Sequence, residues 1–165
     1  MGNLRLAAEN YKKALDKCEN DQKLQKSSTF KKAGTNYAIA LEKLGKRNEA
    51  VTQLESLKRS SSFGHEVLIN NNLGTLQKRK GEVQKAIDSY QEALKTDPKA
   101  FFPNYNLAVL LATEAQYSDA LKQFQSTLTL VHSQPDKSYL ANVLLNLAQC
   151  CEQLKSFQQA LDYLK

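Results

Sequence analysis

Small and bulky apolar residues recur in fixed columns along this chain, at a period close to one helix pair. With Val67 counted as position 1, position 8 is small in four copies: Ala38, Gly74, Ala108 and Ala148. Position 20 is alanine in five: Ala7, Ala50, Ala86, Ala120 and Ala160. Bulky residues stand beside them, with Tyr37, Leu73, Leu107 and Leu147 at position 7 and Tyr11, Leu54, Tyr90, Phe124 and Leu164 at position 24. Within each copy the apolar residues follow the three-and-four spacing of an amphipathic helix twice, with a break between. Small residues where helices cross and large ones between them are what close helix–helix packing requires. The pattern therefore predicts an all-α chain of antiparallel helix pairs. Copies span 31–64, 67–100 and 101–134, with a truncated copy over 141–165 and a lone second helix, starting near Leu4, over 1–26.

Local signals mark the breaks. Asp97-Pro98 ends a helix, because the residue before proline is pushed out of the helical region. Pro103 fits the first turn of the next helix, where its missing N–H costs little. Pro135-Asp136 does the same ahead of the last pair, with Asp136 as N-cap. Gly45 and Gly81 stand where the two helices of a copy meet, and Ser60–Ser62 with Gly64 reads as a loop. The position-20 alanines are 43, 36, 34 and 40 residues apart, so the spacing is uneven. The extra residues fall in 19–29, 60–66 and 132–139, as longer loops or additional helical turns. Gln77, Lys80 and Thr127 interrupt apolar faces. The irregular period and the abrupt ends predict an irregular array that is a piece of a longer protein.

These columns resemble the tetratricopeptide repeat, the helix–turn–helix unit of about 34 residues that stacks into a solenoid. The resemblance covers the whole chain and implies a right-handed α-solenoid whose first helices line a concave groove. Position 6 is the column it makes informative. It reads Asn36, Asn72, Asn106 and Asn146, although asparagine is a mediocre helix former. Such a column resembles the peptide-reading asparagine ladder of kinesin light chains and of the superhelical part of O-linked N-acetylglucosamine transferase, whose asparagines hold the bound peptide's main chain. A carboxamide carries both an acceptor and donors, so it can pair with the N–H and C=O of one peptide unit. The alternative is that these amides bond to neighbouring helices.

Positions 2, 5, 9 and 13 share or flank that face. They supply Lys32, Lys43, Asn71 and Arg79 in the earlier copies and Phe102, Tyr105 and Val109 in the third. The expected ligand is an extended peptide with an acidic part and a hydrophobic anchor; the three apolar residues could equally be core. Where chaperone-binding relatives clamp a C-terminal carboxylate, this chain has Thr35, Ile39, Phe102 and Asn106, so a cochaperone role is not expected.

Composition adds limits. Residues 1–100 hold 19 Lys and Arg against 12 Asp and Glu, and residues 101–165 hold 4 against 5, within a net charge of +6. The basic part suits an acidic partner, although solvated helix faces are commonly lysine-rich. RNA is a weaker candidate, because no aromatic stands near Lys78, Arg79 and Lys85. The longest apolar run, Leu107–Ala112, is too short to span a membrane, and Arg5 and Glu9 break any signal-peptide pattern. Cys18, Cys150 and Cys151 form no disulfide framework and point to a reducing compartment, cytoplasmic or nuclear. His65 and His132 fit no metal-ligand spacing, and Gly45-Lys46 is no phosphate loop. No cofactor and no enzyme chemistry are expected. The leading expectation is a scaffold or adaptor. An assembly segment that uses its convex surface or ends, including self-association, is the alternative.

Overall fold

The computed structural model describes residues 2–18, 21–25, 27–59, 65–131, 134 and 136–164. Among them are ten helices and no strand. These are α1 (Gly2–Asp16), α2 (Gln22–Gln25), α3 (Ser28–Lys43), α4 (Arg47–Arg59), α5 (Glu66–Arg79), α6 (Val83–Thr96), α7 (Phe101–Thr113), α8 (Tyr117–Leu130), α9 (Ser138–Gln153) and α10 (Phe157–Tyr163). The fold is all-α, built from antiparallel helix pairs of the α-solenoid class. First helices are α3, α5, α7 and α9. Among the described residues of the longer joins, Gln22–Gln25 form α2, and Ser28, Glu66 and Ser138 open α3, α5 and α9.

Each pair turns through the same elbow. Position 15 has positive φ in all four copies: Gly45 (+82°), Gly81 (+77°), Ala115 (+58°) and Lys155 (+59°). The N–H that follows reaches back to the carbonyl at position 11 each time. The bonds are Lys46 to Leu41 at 2.9 Å, Glu82 to Gln77 at 2.9 Å, Gln116 to Leu111 at 2.9 Å and Ser156 to Cys151 at 2.8 Å. This six-to-one bond closes the helix end and fixes the left-handed residue. Glycine meets that demand without strain, whereas alanine and lysine adopt it at a cost of about 1–2 kcal/mol.

The chain divides into two compact units, 1–89 and 90–165, with the division inside α6. In the first unit α1 packs on α3, α3 on α4 and α4 on α5. Ala38, Leu41, Ala50, Leu54, Leu57, Ile69 and Leu73 form its core. Gly34 permits the close α3–α4 approach, since a Cβ there would lie 2.7 Å from Leu57 Cδ1. In the second unit α7 packs on α8, α8 on α9 and α9 on α10. Phe124, Val143, Leu147 and Cys151 are fully enclosed there. Position 8 is buried in every copy, and position 20 in all but α1, where Ala7 is half-buried and Ala8 takes the inner place. On α10 the apolar Phe157 and Leu161 are exposed, as is Leu164 just after its end.

Polar interruptions of the apolar faces are paired. Ser89 Oγ donates to Gln77 Oε1 at 2.7 Å with both residues buried, and Thr127 Oγ1 donates to its own helix at the Gln123 carbonyl, 2.8 Å away. Lys80 pairs with Glu82 at 2.7 Å. Asp136 differs from its expected role: α9 begins at Ser138 and Lys137 is its cap residue. The Asp136 carboxylate instead accepts from the Ser138 N–H at 2.9 Å, one residue early. Pro135, His132, Ser60–Ser62 and Gly64 lie outside the described residues.

Cys150 and Cys151 are buried, as small core residues, while Cys18 is half-buried. Burial pushes both inner thiols up, and the adjacent Cys151 adds to the effect on Cys150. Because the thiolate is the reactive form, one thiol of three is expected to react readily with Ellman's reagent at neutral pH. The other two should follow only in denaturant, and two or three fast equivalents in the folded protein would contradict this packing.

Candidate functional site

Helix periodicity separates two faces on every first helix. Positions 8, 10 and 11 are buried in α3, α5, α7 and α9 alike. Positions 2, 6, 9 and 13 are exposed or half-exposed in all four. The asparagine column lies on this second face: Asn36 is exposed, and Asn72, Asn106 and Asn146 are half-buried.

In the first unit, Lys32 and Lys43 of α3 are exposed and Asn71 of α5 is half-buried. The Asn72 Nδ2 is buried and has no acceptor among the described residues. Arg79 is ion-paired with Glu42, linking the C-terminal ends of α5 and α3. Position 13 of one first helix thus reaches position 12 of the one before. Lys85 also meets a carboxylate, Glu82, at 3.4 Å. The Lys80 ammonium bonded to Glu82 holds that carboxyl below its usual range.

In the second unit the predicted residues fall into two groups. Val109 and Asn146 line one hollow of about 440 Å³ between α7 and α9, together with Thr113, Gln149 and Gln153. Phe102 and Tyr105 belong instead to a ring cluster with Phe101 and Tyr139. Tyr105 stacks on Phe101 with centroids 5.9 Å apart, and it meets Tyr139 edge-on at 5.7 Å and Phe124 edge-on at 6.3 Å. Phe102 meets Tyr139 edge-on at 5.9 Å and is 47% exposed, so this ring remains open while Tyr105 is held partly in the core. Burial, and secondarily Tyr139, pushes the Tyr105 phenol up. Asn106 does not line the hollow.

Two residues of this end carry no column signal. Tyr139 lies between repeats, and only its aromatic character near the start of a helix hints at the cluster. Asn104, at position 4, is 3% exposed. Its Nδ2 donates to the Pro98 carbonyl at 3.0 Å and the Ala100 carbonyl at 2.8 Å, and its Oδ1 accepts from Gln123 Nε2. An asparagine six residues after an Asp-Pro break is the available sign of such a clamp. It fixes the turn before α7 and ties α7 to α8, and so sets where Phe102 and Tyr105 project.

Among the described residues no helix is long and apolar enough to cross a membrane, and no group of three His, Cys, Asp or Glu side chains could hold a metal ion.

Family profiles of the tetratricopeptide repeat match residues 67–100 and 102–165. Residues 67–165 also carry the full column pattern, and the chain belongs to the tetratricopeptide repeat family, whose members mediate protein–protein interactions. Tetratricopeptide repeat protein 1 of Schizosaccharomyces pombe is 30% identical over 97 residues, which are 59% of this chain and 9% of that protein. The chain therefore matches about a tenth of the length of that relative. The crystal structure of BtubC (BKLC) from P. vanneervenii superposes with a TM-score of 0.84 at 22% identity, over 98% of this chain and 70% of the other. That of YrrB, described as a tetratricopeptide repeat protein with an unusual peptide-binding site, gives 0.69 at 19% identity, over 99% and 75%. At these identities the superpositions speak for the fold.

Proposed function

We propose that this chain is a scaffold or adaptor module that holds an extended peptide segment of a partner protein against its first-helix faces. The observation that carries the reading is that positions 2, 6, 9 and 13 stay accessible in all four first helices while their neighbours are buried. None of the four asparagines is a buried residue. Asn36, Asn72, Asn106 and Asn146 would pair with the peptide main chain. The exposed Phe102, backed by Phe101 and Tyr139, would take an apolar anchor beside Tyr105 of the same ring cluster, and Lys32 and Lys43 would favour an acidic stretch. YrrB offers a peptide-binding parallel on the same fold.

The test uses peptides selected from a random twelve-residue display library and titrated by fluorescence anisotropy. The double variant Asn72→Ala/Asn106→Ala should weaken them roughly 5- to 100-fold, the loss of two net hydrogen bonds at about 0.5–1.5 kcal/mol each. Asn72→Ala removes an already unpaired donor, so the variant should fold. Failure to select any peptide, or an unchanged affinity, would overturn the reading.

A further inference from the structure

Two polar side chains of the hollow between α7 and α9 are held with acceptor oxygens free. Thr113 Oγ1 donates inward to the Val109 carbonyl at 2.8 Å, which leaves its lone pairs outward. Asn146 Nδ2 donates to the Asn142 carbonyl at 2.6 Å, which leaves Oδ1 for a donor. Gln149, Gln153 and the Tyr117 hydroxyl each carry an oxygen that can turn toward a donor, besides donors of their own. Glu152 is the charged residue among those lining the hollow, and its carboxylate makes no ion pair among the described residues.

A carboxylate among carboxamide and hydroxyl oxygens calls for a ligand with several N–H groups and a positive charge. Guanidinium fits better than ammonium, because its planar fork places five donors at once. The chain contains a precedent: Glu42, at position 12 of α3 as Glu152 is of α9, already holds the Arg79 guanidinium. We infer that this hollow is an arginine subsite, which takes the side chain of an arginine in the bound peptide with Glu152 as its counter-charge. The inference rests on the peptide-binding reading and adds to it.

The subsite can be tested without the natural ligand, by titrating N-acetyl-arginine amide into ¹⁵N-labelled protein. The neutral isostere N-acetyl-citrulline amide serves as control. Arginine amide should shift the side-chain amide signals of Asn146, Gln149 and Gln153 saturably, and citrulline amide should shift them less. Glu152 is exposed, so the loss in Glu152→Gln should be that of a surface ion pair, roughly two- to fivefold in affinity, with a larger loss in Glu152→Lys. No shift at these amides, equal shifts with citrulline amide, or an affinity unchanged in Glu152→Gln would overturn the subsite. Asn72 and Asn106 do not line this hollow, so the Asn72→Ala/Asn106→Ala titration judges the peptide-binding reading separately.

Discussion

Replacing Phe124 by alanine is expected to lower stability by about 3–5 kcal/mol, the cost of emptying a fully buried aromatic site. Phe124 is 0% exposed on α8 and meets Tyr105 of α7 edge-on, so the loss includes that ring pair as well as buried area. Urea unfolding followed by circular dichroism would show the change as a lower midpoint. Amide exchange should locate it at the α7–α8 contact. A loss below about 1 kcal/mol would mean that the site collapses around the smaller side chain, with Tyr105 moving to fill it.

Asn104→Ala is expected to cost about 2–3 kcal/mol, more than most polar-to-alanine changes. One side chain serves three partners in a site that is 3% exposed, and its removal leaves the Gln123 amide and two turn carbonyls to find water or go without. A double-mutant cycle with Gln123→Ala checks the mechanism. If the clamp is as described, the two losses should fall short of additivity by on the order of 1 kcal/mol, since both variants break the same bond. Additive effects would assign the stability to the turn carbonyls alone.

The two asparagines of α7 show what a sequence can and cannot convey here. Asn104 and Asn106 are two residues apart, about 200° around the helix. One is an enclosed clamp and the other faces outward. Position 6 attracts notice because all four copies repeat it. Position 4 reads Gly34, Asn70, Asn104 and Leu144, and so gives no column to follow. The helix pairs were legible because burial obeys the helical period and recurs in register. Arg79 was legible as an exposed-face residue, but its partner Glu42 lies on another helix and comes close only once α3 and α5 stand side by side. The acceptor character of the α7–α9 hollow is further still from the sequence. Asparagine and threonine each offer donors and acceptors, and only the backbone carbonyls one turn back determine which are left over.

Four elbows of one shape, two of them without glycine, mean that the bend belongs to the helix pair and not to any single residue in it. Such a hairpin is a transferable cassette: moved to another place in the row, or duplicated there, it would bring its own corner along. A gene that lengthens by copying whole cassettes would face little demand for new turn chemistry at each join, leaving the outward columns free to diverge toward different ligands.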